Sequence, residues 1–229
     1  VVFAHAWRAL SSGDYHAYKA LLLRAVRCFE KAGDTKTAAT MQANAAHACL
    51  ELGDYAEAVE LAGAALERAS ATHSPGAMAV AQNNLGMALG RTGKLTEGIA
   101  VERLGVVPYK KLGDVRLEGA SRNYLARLLS LSGSLTEAEA EAQSSIQLLE
   151  AIPLMFSHAL ATWSSVLLAR GRATEALTAA QRANDVLLRA GSCEGSPVSI
   201  HLRLFDALVA VGEDADAEDA LARAEQAMN

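Results

Sequence analysis

The chain has 229 residues, 51% apolar and 5% aromatic, with a formal net charge of −5. Its interior must therefore be built from Ala, Leu and Val, and four prolines in the whole chain favour helix over sheet. Lys and Arg are scattered, so the basic stripe that a nucleic-acid binder presents to phosphates is not visible. No apolar run reaches the ~20 residues that span a bilayer.

The first residues, Val1-Val2-Phe3-Ala4-His5-Ala6-Trp7, have neither a basic segment nor a long apolar one, which argues against a signal peptide. They begin without Met and inside a helical pattern, so the chain reads as a cut from a longer one. Cys28, Cys49 and Cys193 are odd in number and widely spaced, which fits neither a disulfide framework nor a metal knuckle. A reducing cytoplasm is the expected compartment.

Self-similarity organises everything that follows. Glycines recur at Gly13, Gly53, Gly93, Gly133, Gly171 and Gly212. Each is expected to end one helix in the left-handed conformation that a residue without Cβ adopts at least cost. In chain order, the first pair of helices, about 1–33, turns at Gly13. The second, 34–74, turns at Gly53, where Asp54-Tyr55-Ala56-Glu57 has the form of a capping box. The third, 75–113, follows Ser74-Pro75-Gly76 and turns at Gly93. The fourth, 114–152, follows Gly113-Asp114 and turns at Gly133, where Ser134-Leu135-Thr136-Glu137 repeats the capping-box form. The fifth, 153–195, starts at Ile152-Pro153, and the sixth, 196–229, at Gly195-Ser196-Pro197.

Small residues stand seven before the turn glycine (Ala6, Ala46, Gly86, Ala126, Ser164) and five after it (Ala58, Gly98, Ala138, Ala176, Ala217). They let two helix axes approach closely, while Leu85, Leu89, Leu125 and Leu129 fill the seam at helical spacing. A lone αα-hairpin cannot bury its apolar face, so the six must stack on one another as a single all-α domain of twelve helices.

The run Asn84-Leu85-Gly86-Met87-Ala88-Leu89, followed by Gly93-Lys94-Leu95-Thr96-Glu97-Gly98-Ile99, resembles the core of the tetratricopeptide repeat, as does Asp54-Tyr55-Ala56-Glu57-Ala58-Val59. The likeness covers nearly the whole chain and departs from the family in its 40-residue spacing, in Gly98 where Ala is expected, and in weak first and last copies. It implies a right-handed superhelical solenoid. It also implies kinship with arrays in bacterial signalling proteins, where a kinase, an NTPase or a DNA-binding module adjoins.

Signals for chemistry are weak. Gly86 to Thr96 imitates a phosphate loop but has Ala88 and Leu95 where Gly and Ser or Thr are needed, and it follows a helix. His5, His16, His47, His73, His158 and His201 form no zinc-binding helix. Cys28 and Cys49 read as small core residues, and no serine sits in a nucleophile elbow. Neither catalysis, cofactor nor metal is expected.

In the family that the chain resembles, the first helix of each pair lines the concave side. The stripe opposite the packing stripe falls 13, 10, 9 and 6 residues before each turn glycine. It contains Thr40, Ala43, Asn44 and His47, then Val80, Asn83, Asn84 and Met87, then Ala120, Asn123, Tyr124 and Arg127, then His158, Ala161, Thr162 and Ser165. Asn44, Asn83, Asn84 and Asn123 offer amides that match both polar groups of an extended peptide. His47 and Arg127 suit a carboxylate, and Met87 and Tyr124 an apolar group. The asparagines have a second reading, in which each only ties neighbouring helices together.

Two functions follow. One is a protein- or peptide-binding module in a larger bacterial signalling or regulatory protein, with no direct contact to nucleic acid or membrane. The other is a self-associating scaffold that pairs with a second copy through terminal hairpins exposing Phe3 and Trp7.

Overall fold

A computed structural model describes residues 2–11, 13–191 and 197–227. Cys193, the Gly195-Ser196 break and the side chains of Phe3 and Trp7 lie outside the described residues. Among these there are twelve helices: α1 (Val2–Ser11), α2 (Tyr15–Lys31), α3 (Thr35–Leu52), α4 (Tyr55–Ala71), α5 (Pro75–Arg91), α6 (Leu95–Leu112), α7 (Val115–Leu131), α8 (Leu135–Leu149), α9 (Pro153–Ala169), α10 (Ala173–Ala190), α11 (Pro197–Val211) and α12 (Asp214–Gln226). No strand occurs among the described residues.

The breaks between helices follow from backbone chemistry. All six turn glycines have φ between +71° and +86°, a region that L side chains enter only at a cost. Asp14, Asp34 and Asp114 each accept a hydrogen bond from the backbone N–H three residues on, at 2.9–3.0 Å. These caps satisfy N–H groups that the first turn of a helix leaves unpaired.

The two capping boxes read from the sequence do not form. Neither Asp54 nor Ser134 makes a side-chain cap. Asp54 instead accepts from Lys19 of the preceding pair at 3.2 Å, and the Ser134 hydroxyl lies 3.1 Å from that of Ser132. A charged partner from the neighbouring pair outcompetes a local amide for the Asp54 carboxylate.

The chain divides into two compact units, Val1–Gly105 and Val106–Asn229, and the division falls within α6. In each unit consecutive helices pack as pairs, and the first helices of successive pairs also pack directly: α3 on α5 in the first unit, α7 on α9 and α9 on α11 in the second. Successive pairs are also linked by long charged side chains. Examples are Arg68 to Glu30, Arg170 and Arg172 to Glu139, and Arg182 to Glu150.

Alanine builds the seams. Ala43, Ala65 and Ala81 form one buried cluster, and Cys49, Ala58 and Ala88 another. Where the two small-residue columns meet, backbones touch. The Ser164 hydroxyl donates to the carbonyl of Ala176 at 2.9 Å, and a Cβ added to Gly98 would lie 2.5 Å from the carbonyl oxygen of Gly86. Gly98 in place of alanine is therefore what lets α6 rest on α5 at this point.

Cys49 is buried, as expected, and burial pushes its thiol pKa up, which suits an inert core residue. Cys28 is exposed instead. Buried Tyr18, Leu22, Ala25 and Val26 set the inner stripe of α2, and Cys28 falls off it.

Candidate binding face

The first-helix layer of each unit carries the stripe predicted to bind. In the first unit α3 presents Thr40, Asn44 and His47 half-buried, while Ala43 is sealed inside. His47 Nε2 lies 3.6 Å from Glu51 Oε1, one turn along the helix, and its ring sits 6.3 Å from that of Tyr15 at a tilt of 57°. On α5, Asn83, Asn84 and Met87 are all buried. Asn84 Nδ2 donates to the backbone carbonyl of Ala43 at 2.8 Å, across to the preceding pair. For Asn84, then, the structure shows the helix-tying reading of the asparagines.

In the second unit α7 presents Tyr124 and Arg127 half-buried, with the guanidinium 5.6 Å from the ring centroid. This distance is within cation–π range. Asn123 is buried, and its Oδ1 has no hydrogen-bond partner among the described residues. On α9, Ala161 and Thr162 are buried, whereas His158 and Ser165 are half-buried. His158 Nδ1 lies 3.4 Å from the Ser199 hydroxyl of α11. On that helix Arg203 and Asp206 pair at 2.9 Å.

The eight candidate residues thus split evenly. Asn44, His47, Tyr124 and Arg127 reach the surface of the first-helix layer; Asn83, Asn84, Met87 and Asn123 are absorbed between pairs. Several polar groups in the interior were not singled out in the sequence. Glu102 is fully buried on α6. Arg122 of α7 joins Glu118 and Glu141 at 2.8 and 2.6 Å. His201 of α11 is buried, and desolvation, helped by the charge of Arg223, holds its pKa below the usual histidine value. Glu102 had a visible signal, since the position nine after the turn glycine holds Ala62, Ala142 and Ala180 in other copies.

Among the described residues no group of three or more His, Cys, Asp or Glu is placed to hold a metal ion. No described helix is long and apolar enough to cross a membrane.

No family model and no curated protein matches the chain. Solved structures do. A Rap protein complexed with competence and sporulation factor superposes with a TM-score of 0.75 at 13% identity, over 98% of this chain and 67% of that one. Bacillus thuringiensis PlcR, in complex with the peptide PapR7 and DNA, gives 0.65 at 15% identity over 82% and 69%. The kinesin light chain TPR-like repeats of Podosopora anserina give 0.56 at 20% identity over 81% and 92%. The chain has the tetratricopeptide-repeat fold. At these identities the likeness is one of fold, and it extends along nearly all of this repeat array.

Proposed function

We propose that the chain is a non-catalytic module that binds a protein segment, and that an extended peptide lies on the first-helix layer. Side-chain placement carries this reading. Asn44 and His47 in one unit, and Tyr124 and Arg127 in the other, stand on the same side of their helices while the opposite sides build the core. Taken unit by unit, the first offers an amide and an imidazole and the second an aromatic ring and a cation, residue types that anchor peptide contacts. Two structures of like fold support it by what they hold: competence and sporulation factor in Rap, and the peptide PapR7 in PlcR. A sensor role within a larger cytoplasmic signalling protein of bacterial type is the broader setting we infer.

The test is selection of peptides from a displayed library on the chain, followed by titration of the winners. Asn44→Ala, His47→Ala, Tyr124→Ala and Arg127→Ala, each still folded by circular dichroism, should weaken the selected peptides. Equal affinity of wild type and all four variants would remove the first-helix layer as the binding face.

A further inference from the structure

The repeats act as controls for one another, and one short surface departs from the rest. Val107 of α6 is 53% exposed. Fourteen residues after the turn glycine the other copies place Arg27, Glu67, Gln147, Asp185 and Gln226, all polar and all exposed. Leu112, 65% exposed, stands where Ala32, Thr72 and Ala190 precede the positive-φ residue between pairs. Val115, 49% exposed, opens α7 where Thr35 and Pro75 open α3 and α5. No packing demand explains the change, because all three side chains stand largely in water.

Val107 and Lys111 are one turn apart on α6, and Pro108 and Leu112 form the adjacent row, so these four exposed residues share its outer side. Val115 follows across the Gly113 turn. Lys110, Lys111 and Arg116 are interleaved with them, are exposed, and form no ion pair with any described residue. The acid of this stretch, Asp114, accepts from the N–H of Leu117 at 3.0 Å. Residues 107–116 thus carry three cations against one acid in a chain of net −5. All belong to the unit Val106–Asn229.

These side chains present apolar surface and hydrogen-bond donors, but no acceptor apart from the occupied Asp114. An extended segment laid here would bury backbone N–H groups with nothing to receive them. A helix pairs its own.

We propose that this corner of the second unit, where α6 turns into α7, docks an amphipathic helix of another protein whose apolar stripe is flanked by Asp or Glu. The stripe packs on Val107, Leu112 and Val115. The acids meet Lys110, Lys111 and Arg116. The surface shares no residue with the proposed peptide-binding layer of this unit, Tyr124 and Arg127.

The probe is a fluorescein-labelled peptide of three Glu-Leu-Ala-Glu-Leu-Leu-Glu heptads, with two controls in which every Leu becomes Ser or every Glu becomes Lys. Fluorescence anisotropy at low salt should show the parent binding about tenfold or more tightly than either control, and weakening as salt passes about 0.3 M. Val107→Gln/Leu112→Thr/Val115→Thr installs residues that other copies carry at these exposed positions, so folding should be kept; it should weaken the parent about tenfold. Lys110→Gln/Lys111→Gln/Arg116→Gln should weaken it about fivefold, and Tyr124→Ala should leave it unchanged. Absence of binding, or equal affinity of wild type and both triple variants, overturns the proposal. So does a loss with Tyr124→Ala as large as theirs, which would put the probe on the first-helix layer. Tighter binding to phosphatidylserine vesicles, or a dimer by light scattering that the apolar triple variant dissolves, overturns it in favour of a lipid surface or a second copy.

Discussion

A Cβ added to Gly86 of α5 would stand 2.6 Å from Oε1 of Glu102 and 2.9 Å from its Cγ, and the Glu102 side chain that occupies this space is fully buried on α6. The two residues are complementary departures from the same pattern. Other copies place Ala46 or Ala126 in the Gly86 column and Ala62 or Ala142 in the Glu102 column. The third pair has moved volume from one helix to the other.

This exchange predicts a change of sign. In the natural chain Gly86→Ala should lower stability by about 1–3 kcal/mol, the usual range for overpacking. In a Glu102→Ala background the same change meets open space and should raise stability by about 0.5–1 kcal/mol, as Gly to Ala does inside a helix. Urea unfolding of the four proteins of this cycle reads the coupling directly. Additive effects would show that the contact is not the cause.

Asn84 gives a second test, since its bond to the Ala43 carbonyl is buried. Removing it with Asn84→Ala should cost about 1–2 kcal/mol of stability. Peptide affinity, measured with the selected ligands, should stay unchanged. A variant of normal stability and lost affinity would return Asn84 to the binding face.

His73 is a non-glycine residue at positive φ, +48°, with its N–H bonded to the carbonyl of Ser70. Gly33 and Gly113 occupy the corresponding turns at +76° and +67° and make the same kind of bond, to Glu30 and Lys110. His73→Gly should therefore stabilise the first unit by about 0.5–1 kcal/mol, the relief of left-handed strain less the entropy of glycine. Thermal melting checks it, and an unchanged or lower midpoint would count against strain at this turn.

His201 makes acid a destabilising condition. Burial, helped by Arg223, lowers its folded pKa, so between the two values the unfolded chain binds the extra proton. Stability from the neutral ring is complete above the unfolded value of about 6.5 and falls as pH drops through the window beneath it. Melting temperature should decline more between pH 7.5 and 5.5 in the natural protein than in His201→Leu. Parallel curves would show that other groups set the acid response.

Helix placement was legible because each boundary depends on local backbone chemistry. A glycine that must take positive φ marks a turn whatever packs around it, and the small-residue columns at seven before and five after it point to the helix contact that Ser164 and Ala176 make. The capping boxes were not legible, because Asp54 chooses between its own helix and Lys19 of another pair, and only the stacked structure brings Lys19 within 3.2 Å.

The same division separates fold from site. Periodicity along the chain by itself determined that helices of this length would form, pair and bury Ala-rich seams. Tertiary packing alone decided which part of each first helix remained outside. One residue of helix is a rotation of about 100°, and the step from Ala43 to Asn44, or from Asn123 to Tyr124, carries a side chain from the buried seam to the surface. The angle at which the next pair leans on a helix sets where that edge falls, and nothing within the helix's own sequence encodes it.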